Sequence, residues 1–119
     1  MKLSGEGKLL RIFLGEADRY QGQQLYEAIV HFARSKGLAG ATVLRGVEGF
    51  GAHSKIHKAK ILELSEDLPI VIEIVDTGEN VEALIPDIDA MIEKANCGAM
   101  MTMEKVDIRK YSAGKKEKI

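Results

Sequence analysis

The residues best suited to chemistry lie in a glycine-rich stretch near the middle of the chain. Residues 46–55 (GVEGFGAHSK) contain three glycines and His53, and His57 follows four residues after that histidine. Backbone N–H groups can approach a phosphate where glycine leaves no side chain in the way. The two histidines share a face only if the stretch is helical, and no Cys or carboxylate follows at a matching spacing. The stretch therefore predicts a mobile loop with accessible backbone, with metal binding as an alternative.

The candidate nucleophiles lack the partners that catalysis requires. Cys97 has no histidine nearby in the sequence, and neither Ser54 nor Ser65 lies in a nucleophile-elbow context. An acylphosphatase-like enzyme would need an arginine in a phosphate cradle and a carboxamide that places a water molecule. Arg19 is followed by three glutamines within residues 21–24, but by no glycine-rich cradle. We predict that the protein is not an enzyme, and a small acylphosphatase-like enzyme is the alternative.

Two short stretches imitate the motifs of RNA-recognition domains. Residues 11–15 (RIFLG) resemble the first motif, and residues 48–51 (EGFG) resemble the second. The second motif needs a basic residue where Glu48 stands and an aromatic residue where Ala52 stands, so phosphate contact and base stacking are both lost. The whole chain has 17 Lys and Arg against 18 Asp and Glu, a net charge of −1. We therefore predict no nucleic-acid partner.

The elements that must position these residues follow from hydrophobic periodicity. Residues 8–14 (KLLRIFL) form a short apolar run that predicts a strand. From Gln24 the apolar residues recur at steps of three and four, which predicts a helix that ends at Lys36 and Gly37. That apolar stripe consists of Leu25, Ala28, Ile29, Phe32 and Ala33.

The second half of the chain repeats the order of elements. Apolar runs predict strands from about 41 to 44, over 69–75 and over 99–108. Residues 59–64 are a further strand candidate, either extending the hairpin or forming the returning arm of the loop that separates the second and third strands. Thr77 is suited to cap a second helix that closes at residues 96–98. Pro86 lies inside that helix, and an interior proline predicts either a kink or a restart at that residue.

The order β-α-β-β-α-β predicts an α+β fold of the ferredoxin-like sandwich class. In this fold an antiparallel sheet carries both helices on one face. We expect a single domain over residues 1–119, with a structured core over about 8–111 and a charged tail over 112–119. The strands are apolar on nearly every residue, whereas a strand buried on one face should alternate. The open face of the sheet is therefore predicted to be an oligomer interface.

Composition limits the cellular setting. With 119 residues and 45% hydrophobic residues, the chain can bury a core. The single cysteine cannot form an intramolecular disulfide, and no run approaches the roughly 18 apolar residues that a membrane span needs. The N-terminal residues 1–7 lack the apolar stretch of a signal peptide. We expect a cytoplasmic protein that is not embedded in a membrane.

Several stretches together resemble the PII signal-transduction proteins. Residues 40–51 (GATVLRGVEGFG), a long loop, and residues 68–75 (LPIVIEIV) are similar to the strand, the T-loop entry and the following strand of that family. Residues 9–16 (LLRIFLGE) and the pattern over 20–29 (YQGQQLYEAI) look more specifically like a PII-like branch, the uncharacterised domain-of-unknown-function-190 family.

The resemblance implies a homotrimer that binds an adenine nucleotide in each cleft between subunits. It also implies that the mobile loop 51–58 docks on a membrane transporter or an enzyme in a regulatory role, with no cofactor required. The nucleotide-binding residues that the resemblance implies are Thr42, Gly49, Phe50, Gly51, His53, Arg109 and Lys110.

The sequence departs from the PII pattern, and these departures change which nucleotide is expected as the ligand. One extra residue between the Thr42-Val43 pair and Gly49 predicts a bulge in that strand. The glycine-rich phosphate loop after the second helix is missing, because residues 96–98 lead almost directly into the last strand. Fewer phosphate contacts favour AMP or cyclic AMP over ATP. A trimeric metal-tolerance protein of related fold remains the third hypothesis, through His53 and His57.

Overall fold

The computed structural model describes residues 3–59 and 67–115. Within these ranges the elements follow the predicted order, and two short hairpins are added to it. In chain order they are β1 (Gly5–Gly15), β2 (Arg19–Tyr20), β3 (Gln23–Gln24), α1 (Leu25–Ser35), β4 (Thr42–Arg45), β5 (Glu48–Gly49), β6 (His57–Lys58), β7 (Pro69–Asp76), α2 (Gly78–Ala95) and β8 (Met100–Ile108).

The main sheet has the strand order β4-β7-β1-β8, and every neighbouring pair is antiparallel. The two inner strands, β1 and β7, begin the two strand-helix-strand halves of the chain, and the edge strands β4 and β8 complete them. Each half therefore contributes one inner strand and one edge strand, which interleaves the halves in a single sheet. This is the sheet of the split βαβ fold, so the predicted fold class is confirmed.

Both helices cover the same face of this sheet. The buried residues of β1 and β7 form one hydrophobic cluster with those of the helices. Along β7 every second residue is buried, as expected when one face of a strand packs against the core. The buried members of the cluster are Leu10, Ile12, Leu14, Leu25, Ile29, Ala33, Ile70, Ile72, Ile74, Val81, Leu84 and Ile88.

Helix α2 begins as predicted, because the Thr77 side chain accepts a hydrogen bond from the Asn80 N–H group. It then continues unbroken through Pro86, so the alternative of a restart is wrong. Pro86 is exposed, while Leu84 and Ile88 on either side are buried in the core, so packing on both sides of the proline favours a continuous helix. No helix among the described residues is both long and apolar enough to cross a membrane.

Two local features differ from expectation, and one prediction lies outside the described residues. Strand β1 begins at Gly5 rather than at residue 8, because β8 extends far enough for Ile108 to pair with Gly5. The hairpin of β2 and β3 has no counterpart in the predicted order; it turns at Gln21 and Gly22, both with positive φ. The predicted strand over 59–64 falls almost wholly on residues 60–66, outside the described residues.

The predicted bulge in the strand before the loop is wrong. Strand β4 pairs with β7 in unbroken register from Thr42 opposite Glu73 to Arg45 opposite Ile70. The ladder continues one residue further, since the Gly46 N–H group donates to the Pro69 carbonyl at 2.7 Å. The extra residue therefore lies beyond the sheet, where the chain has turned away from β7 and length is free to vary.

A buried carboxylate fixes the opposite end of the sheet. Asp76 is fully buried at the end of β7 and accepts hydrogen bonds from Ala39 N, Thr77 N and the Asn80 side chain, at 2.6–2.9 Å. The hydroxyl of Tyr111, beyond β8, donates to the Ala39 carbonyl at 2.8 Å. The segment after α1, the start of α2 and the chain after β8 therefore meet at this end of the sheet.

Candidate functional site

The glycine-rich stretch forms a hairpin that leaves the main sheet at the end of β4. Glu48 pairs with Lys58 and Gly49 with His57, and Ala59 N donates to the Val47 carbonyl at 2.8 Å. Gly46 and Gly49 lie against the Pro69 ring: a Cβ placed at them would come within 2.9 and 3.2 Å of the proline Cγ atom. These two glycines let the base of the hairpin pack closely on the first residue of β7.

Beyond that base the hairpin is open. Phe50 is 70% exposed, and His53 is exposed as well. A Cβ placed at Gly51 would meet no described atom within 4 Å. The Gly51 carbonyl accepts a hydrogen bond from Ser54 N at 2.9 Å, which shapes the tip into a turn. The backbone at Gly51 is thus accessible, whereas the glycines below it are used for packing.

The short connection between α2 and β8 lies beside this hairpin. Asn96 has a left-handed backbone with φ of 54°, which turns the chain sharply at the end of α2. A Cβ placed at Gly98 would lie 3.7 Å from the Cβ of Ala52. The structure therefore brings residues 96–98 to the loop, although sequence reasoning treated them only as a replacement for a missing motif. The sequence feature that could have indicated this contact is Gly98, a glycine shortly before a strand.

Carboxylates surround the turn between β1 and β2 at the same end of the sheet. Asp18 accepts from Gly15 N and Asp67 accepts from Ala17 N, both at 2.8 Å. Arg45, the last residue of β4, forms an ion pair with Glu16. Arg45 is therefore a cation beside the loop base that sequence analysis did not select, although it directly precedes Gly46.

Cys97 is held in its protonated form. Burial raises the pKa of its thiol to about 11, and the charge and hydrogen bond of the nearby Asp18 carboxylate act in the same direction. A thiol with such a pKa is a poor nucleophile near neutral pH. This agrees with the absence of a histidine near Cys97 in the sequence. Among residues 3–59 and 67–115, no cluster of three or more His, Cys, Asp or Glu side chains is arranged to hold a metal ion.

The remaining predicted site residues are not gathered at the loop within one chain. Thr42 begins β4 on the exposed face, four residues before the point where the hairpin leaves the sheet. Arg109 and Lys110 follow the far end of β8, whose first residue, Met100, lies at the loop end. An extended strand of this length spans about 30 Å. Arg109 is exposed and forms an ion pair with Asp107, at 3.7 Å.

The face of the sheet away from the helices carries an uninterrupted apolar band. At the loop end, cross-strand pairing aligns four side chains, one from each strand: Leu44, Val71, Phe13 and Met100. Three of them are large and exposed, at 49% for Leu44, 37% for Phe13 and 61% for Met100. Scattered exposed apolar residues are normal, but a contiguous band across a whole sheet marks an interaction surface.

A charged triad lies beside this band on the same face. Arg11 Nε donates to Glu73 at 2.9 Å, and Arg11 Nη1 donates to Glu104 at 2.8 Å. The hydrogen bond to Glu73 is the main reason that the pKa of Arg11 is raised above its ordinary value. A single cation thus ties together β7, β1 and β8 on the open face. These charges are therefore satisfied within the chain and need no partner from outside.

Comparison with solved structures identifies the fold. The chain is similar to CPII, a nitrogen regulatory PII-like protein from Thiomonas intermedia K12, with a TM-score of 0.67, 18% identity, and coverage of 88% of this chain and 90% of that one. CPII was solved with ADP and bicarbonate, and also with ADP, AMP and bicarbonate. A putative PII-like signaling protein from Thermus thermophilus aligns with a TM-score of 0.58 and 17% identity, over 92% of this chain and 94% of that one. The fold is therefore PII-like.

Sequence comparison identifies the family. The model of the DUF190 family, described as uncharacterized ACR, matches residues 7–108. A UPF0166 protein from Aquifex aeolicus is 35% identical over 101 residues, which cover 85% of this chain and 91% of the relative. The matched region runs from β1 to the end of β8, and it includes the hairpin, the open sheet face and the short α2–β8 connection. The chain belongs to the DUF190 family, which its sequence resembles.

Proposed function

We propose that this protein is a non-enzymatic signalling protein that binds an adenine nucleotide between subunits of a homotrimer. The observation that carries the proposal is the loop base: an accessible backbone at Gly51, on a PII-like fold, beside the connection at residues 96–98. Backbone N–H groups at such a position are suited to phosphate oxygens. The complexes of CPII with ADP and AMP support an adenine nucleotide as the ligand class.

The trimer is supported by the apolar open face of the single chain, and the positions of the implied basic residues agree with it. The apolar band of Leu44, Phe13 and Met100 needs a covering surface. In addition, Arg109 and Lys110 lie at the end of the sheet opposite to the hairpin, so they can serve a site at the hairpin only from a neighbouring subunit. A cleft between subunits accommodates both observations, because it joins the hairpin of one copy to the end of β8 of another.

The expected ligand has few phosphates. The connection at residues 96–98 is short, and it offers Asn96, Cys97 and Gly98 where PII proteins are expected to present a glycine-rich phosphate loop. Each charge-assisted hydrogen bond contributes roughly 1.5–3 kcal/mol, so the loss of several lowers affinity for a triphosphate by orders of magnitude. We therefore favour AMP or cyclic AMP over ATP. The response would be transmitted through residues 51–58 to a membrane transporter or an enzyme.

Calorimetric titration with AMP, cyclic AMP, ADP and ATP tests the ligand. Gly51→Val is the informative variant, since the described residues around Gly51 leave room for the new side chain and the fold should be unaffected. We expect it to reduce AMP affinity by roughly tenfold or more by blocking backbone approach. Asp89→Ala, at an exposed position of α2, is the control and should leave AMP affinity unchanged.

Three outcomes would contradict the proposal. Tightest binding by ATP would show that the short α2–β8 connection does not limit phosphate number. No binding by any of the four nucleotides at millimolar concentration would remove the nucleotide altogether. Arg109→Ala should lower AMP affinity about tenfold, because it removes one exposed charged contact. Unchanged affinity would show that Arg109 of a neighbouring subunit does not contribute to the site.

The alternative of an acylphosphatase-like enzyme receives no support from the position of Arg19. Its guanidinium donates to the Gly22 carbonyl at 2.8 Å and thereby closes the small hairpin of β2 and β3. In this arrangement Arg19 stabilises the turn in which it lies rather than forming part of a phosphate cradle. Turnover of acyl phosphate that is abolished by Arg19→Ala would nevertheless favour the enzyme over the regulator.

A further inference from the structure

The outer part of the hairpin combines exposed apolar side chains with cations. Phe50 is 70% and Ile56 61% exposed. Phe50 directly follows Gly49 and Ile56 directly precedes His57, the last paired residues of the hairpin, so one of them lies on each arm just beyond the pairing. The hairpin therefore presents an apolar pair that makes no contribution to the core of its own chain.

Among the described residues of the hairpin beyond Glu48, the side-chain charge is of one sign. Lys55 and Lys58 lie in the hairpin and are exposed, and residues 49–59 contain no Asp or Glu. The acidic residue Glu48 stands at the base of the hairpin, opposite Lys58. Glu63 and Glu66 follow in the sequence, outside the described residues. The projecting part of the hairpin is thus apolar and basic at once.

We propose that this hairpin docks on an anionic lipid surface. A small apolar tip flanked by lysines inserts into the headgroup region of a bilayer while its cations attract anionic lipids. The hairpin projects from the sheet, and its apolar side chains lie towards its end, which suits a flat, deformable surface better than a groove in a partner. This inference rests on the proposed trimer: cyclic symmetry gives all three hairpins the same height along the axis and the same inclination to it, so that one flat surface can meet all three.

Three hairpins at one end can contact one membrane together. A single tip with two exposed apolar side chains binds weakly, but linked contacts add avidity without any new interaction. Lipid docking would hold the regulator at the membrane surface, where a transporter is within reach of its loop. Phe50 belongs to both proposed contacts, so the residues that separate them are Ile56 and the lysines for the lipid contact and Gly51 for the nucleotide contact.

Vesicle flotation of the full chain tests this proposal. We expect binding to vesicles that contain phosphatidylserine and little binding to vesicles of phosphatidylcholine alone. Ile56→Ser should reduce the bound fraction by roughly tenfold or more, whereas Ile56→Leu retains binding. The double variant Lys55→Glu/Lys58→Glu should abolish binding, whereas Lys55→Arg/Lys58→Arg retains it.

Titration with AMP on the same samples separates this proposal from the proposed function. Wild-type protein that binds AMP but does not float with phosphatidylserine vesicles would overturn lipid docking and leave the nucleotide site intact. Flotation without AMP binding would support lipid docking and overturn the proposed nucleotide site. Flotation that depends on the lysines but not on Ile56 would indicate a purely ionic contact, as with an acidic protein, and would overturn the assignment to lipid.

Discussion

Replacing Phe13 by alanine tests whether the open face of the sheet is the subunit interface. Phe13 lies on β1 in the centre of the apolar band, between Val71 and Met100, and 37% of its surface is exposed in the single chain. A phenylalanine side chain buries about 150–250 Å², so roughly 55–90 Å² per subunit remains to be covered. At about 25 cal/mol per Å², covering it contributes about 2 kcal/mol per subunit.

Three copies make this contribution about 6 kcal/mol per trimer, which corresponds to about four orders of magnitude in the overall dissociation constant. Sedimentation velocity over a dilution series measures this change directly. We expect Phe13→Ala to dissociate at concentrations where the unmodified protein is a trimer. The chain itself should remain folded, because Phe13 projects from the sheet away from the core, and circular dichroism verifies this.

Ile56→Ala is the matched control for assembly. Ile56 is more exposed than Phe13, but it lies in the hairpin rather than on the sheet. Its replacement should leave the dissociation constant unchanged. Equal dissociation constants for Phe13→Ala and the unmodified protein would refute the assignment of this face, and so would a stable monomer of the unmodified protein at micromolar concentration.

Two further predictions concern buried groups. Asp76→Ala leaves the donors of Ala39, Thr77 and Asn80 without their acceptor, so we expect a loss of about 3–5 kcal/mol in the free energy of unfolding by urea. The exposed Asp89→Ala is the control, and a loss below about 1 kcal/mol for Asp76→Ala would contradict the role of this carboxylate. Cys97 should react slowly with iodoacetamide at about pH 8, because its pKa of about 11 leaves little thiolate. Asp18→Asn removes a negative charge, lowers that pKa and should accelerate alkylation, and an unchanged rate would show that Asp18 does not act on the thiol.

The order of elements and the class of fold could be predicted from the sequence because both depend on local patterns. The apolar stripe that includes Leu25 and Ile29 is buried as expected, and Thr77 caps α2. These features are encoded in spacings of three or four residues and in the chemistry of one cap. The resemblance to the DUF190 family arose from stretches of the same kind, residues 9–16 and 20–29, and the family match confirms it.

Errors arose where a local rule competed with packing at a distance. Pro86 disfavours a continuous helix, but the burial of Leu84 and Ile88 keeps α2 in one piece. The extra residue before Gly49 predicted a bulge, yet pairing with β7 keeps β4 regular and moves the extra length beyond the sheet. In both cases contacts between distant segments outweighed the preference of a single residue.

The arrangement of the candidate site was decided only by the tertiary structure. The sequence selected Gly51 and Arg109 together, whereas the sheet places them at opposite ends of one chain. Sequence reasoning also missed Arg45 and Gly98, which the fold brings to the loop base. The sequence determines which segments become strands and helices, because those choices depend on neighbouring residues. Which side chains share a surface depends on strand order and register, and these are fixed by pairing between segments as far apart as β1 and β8.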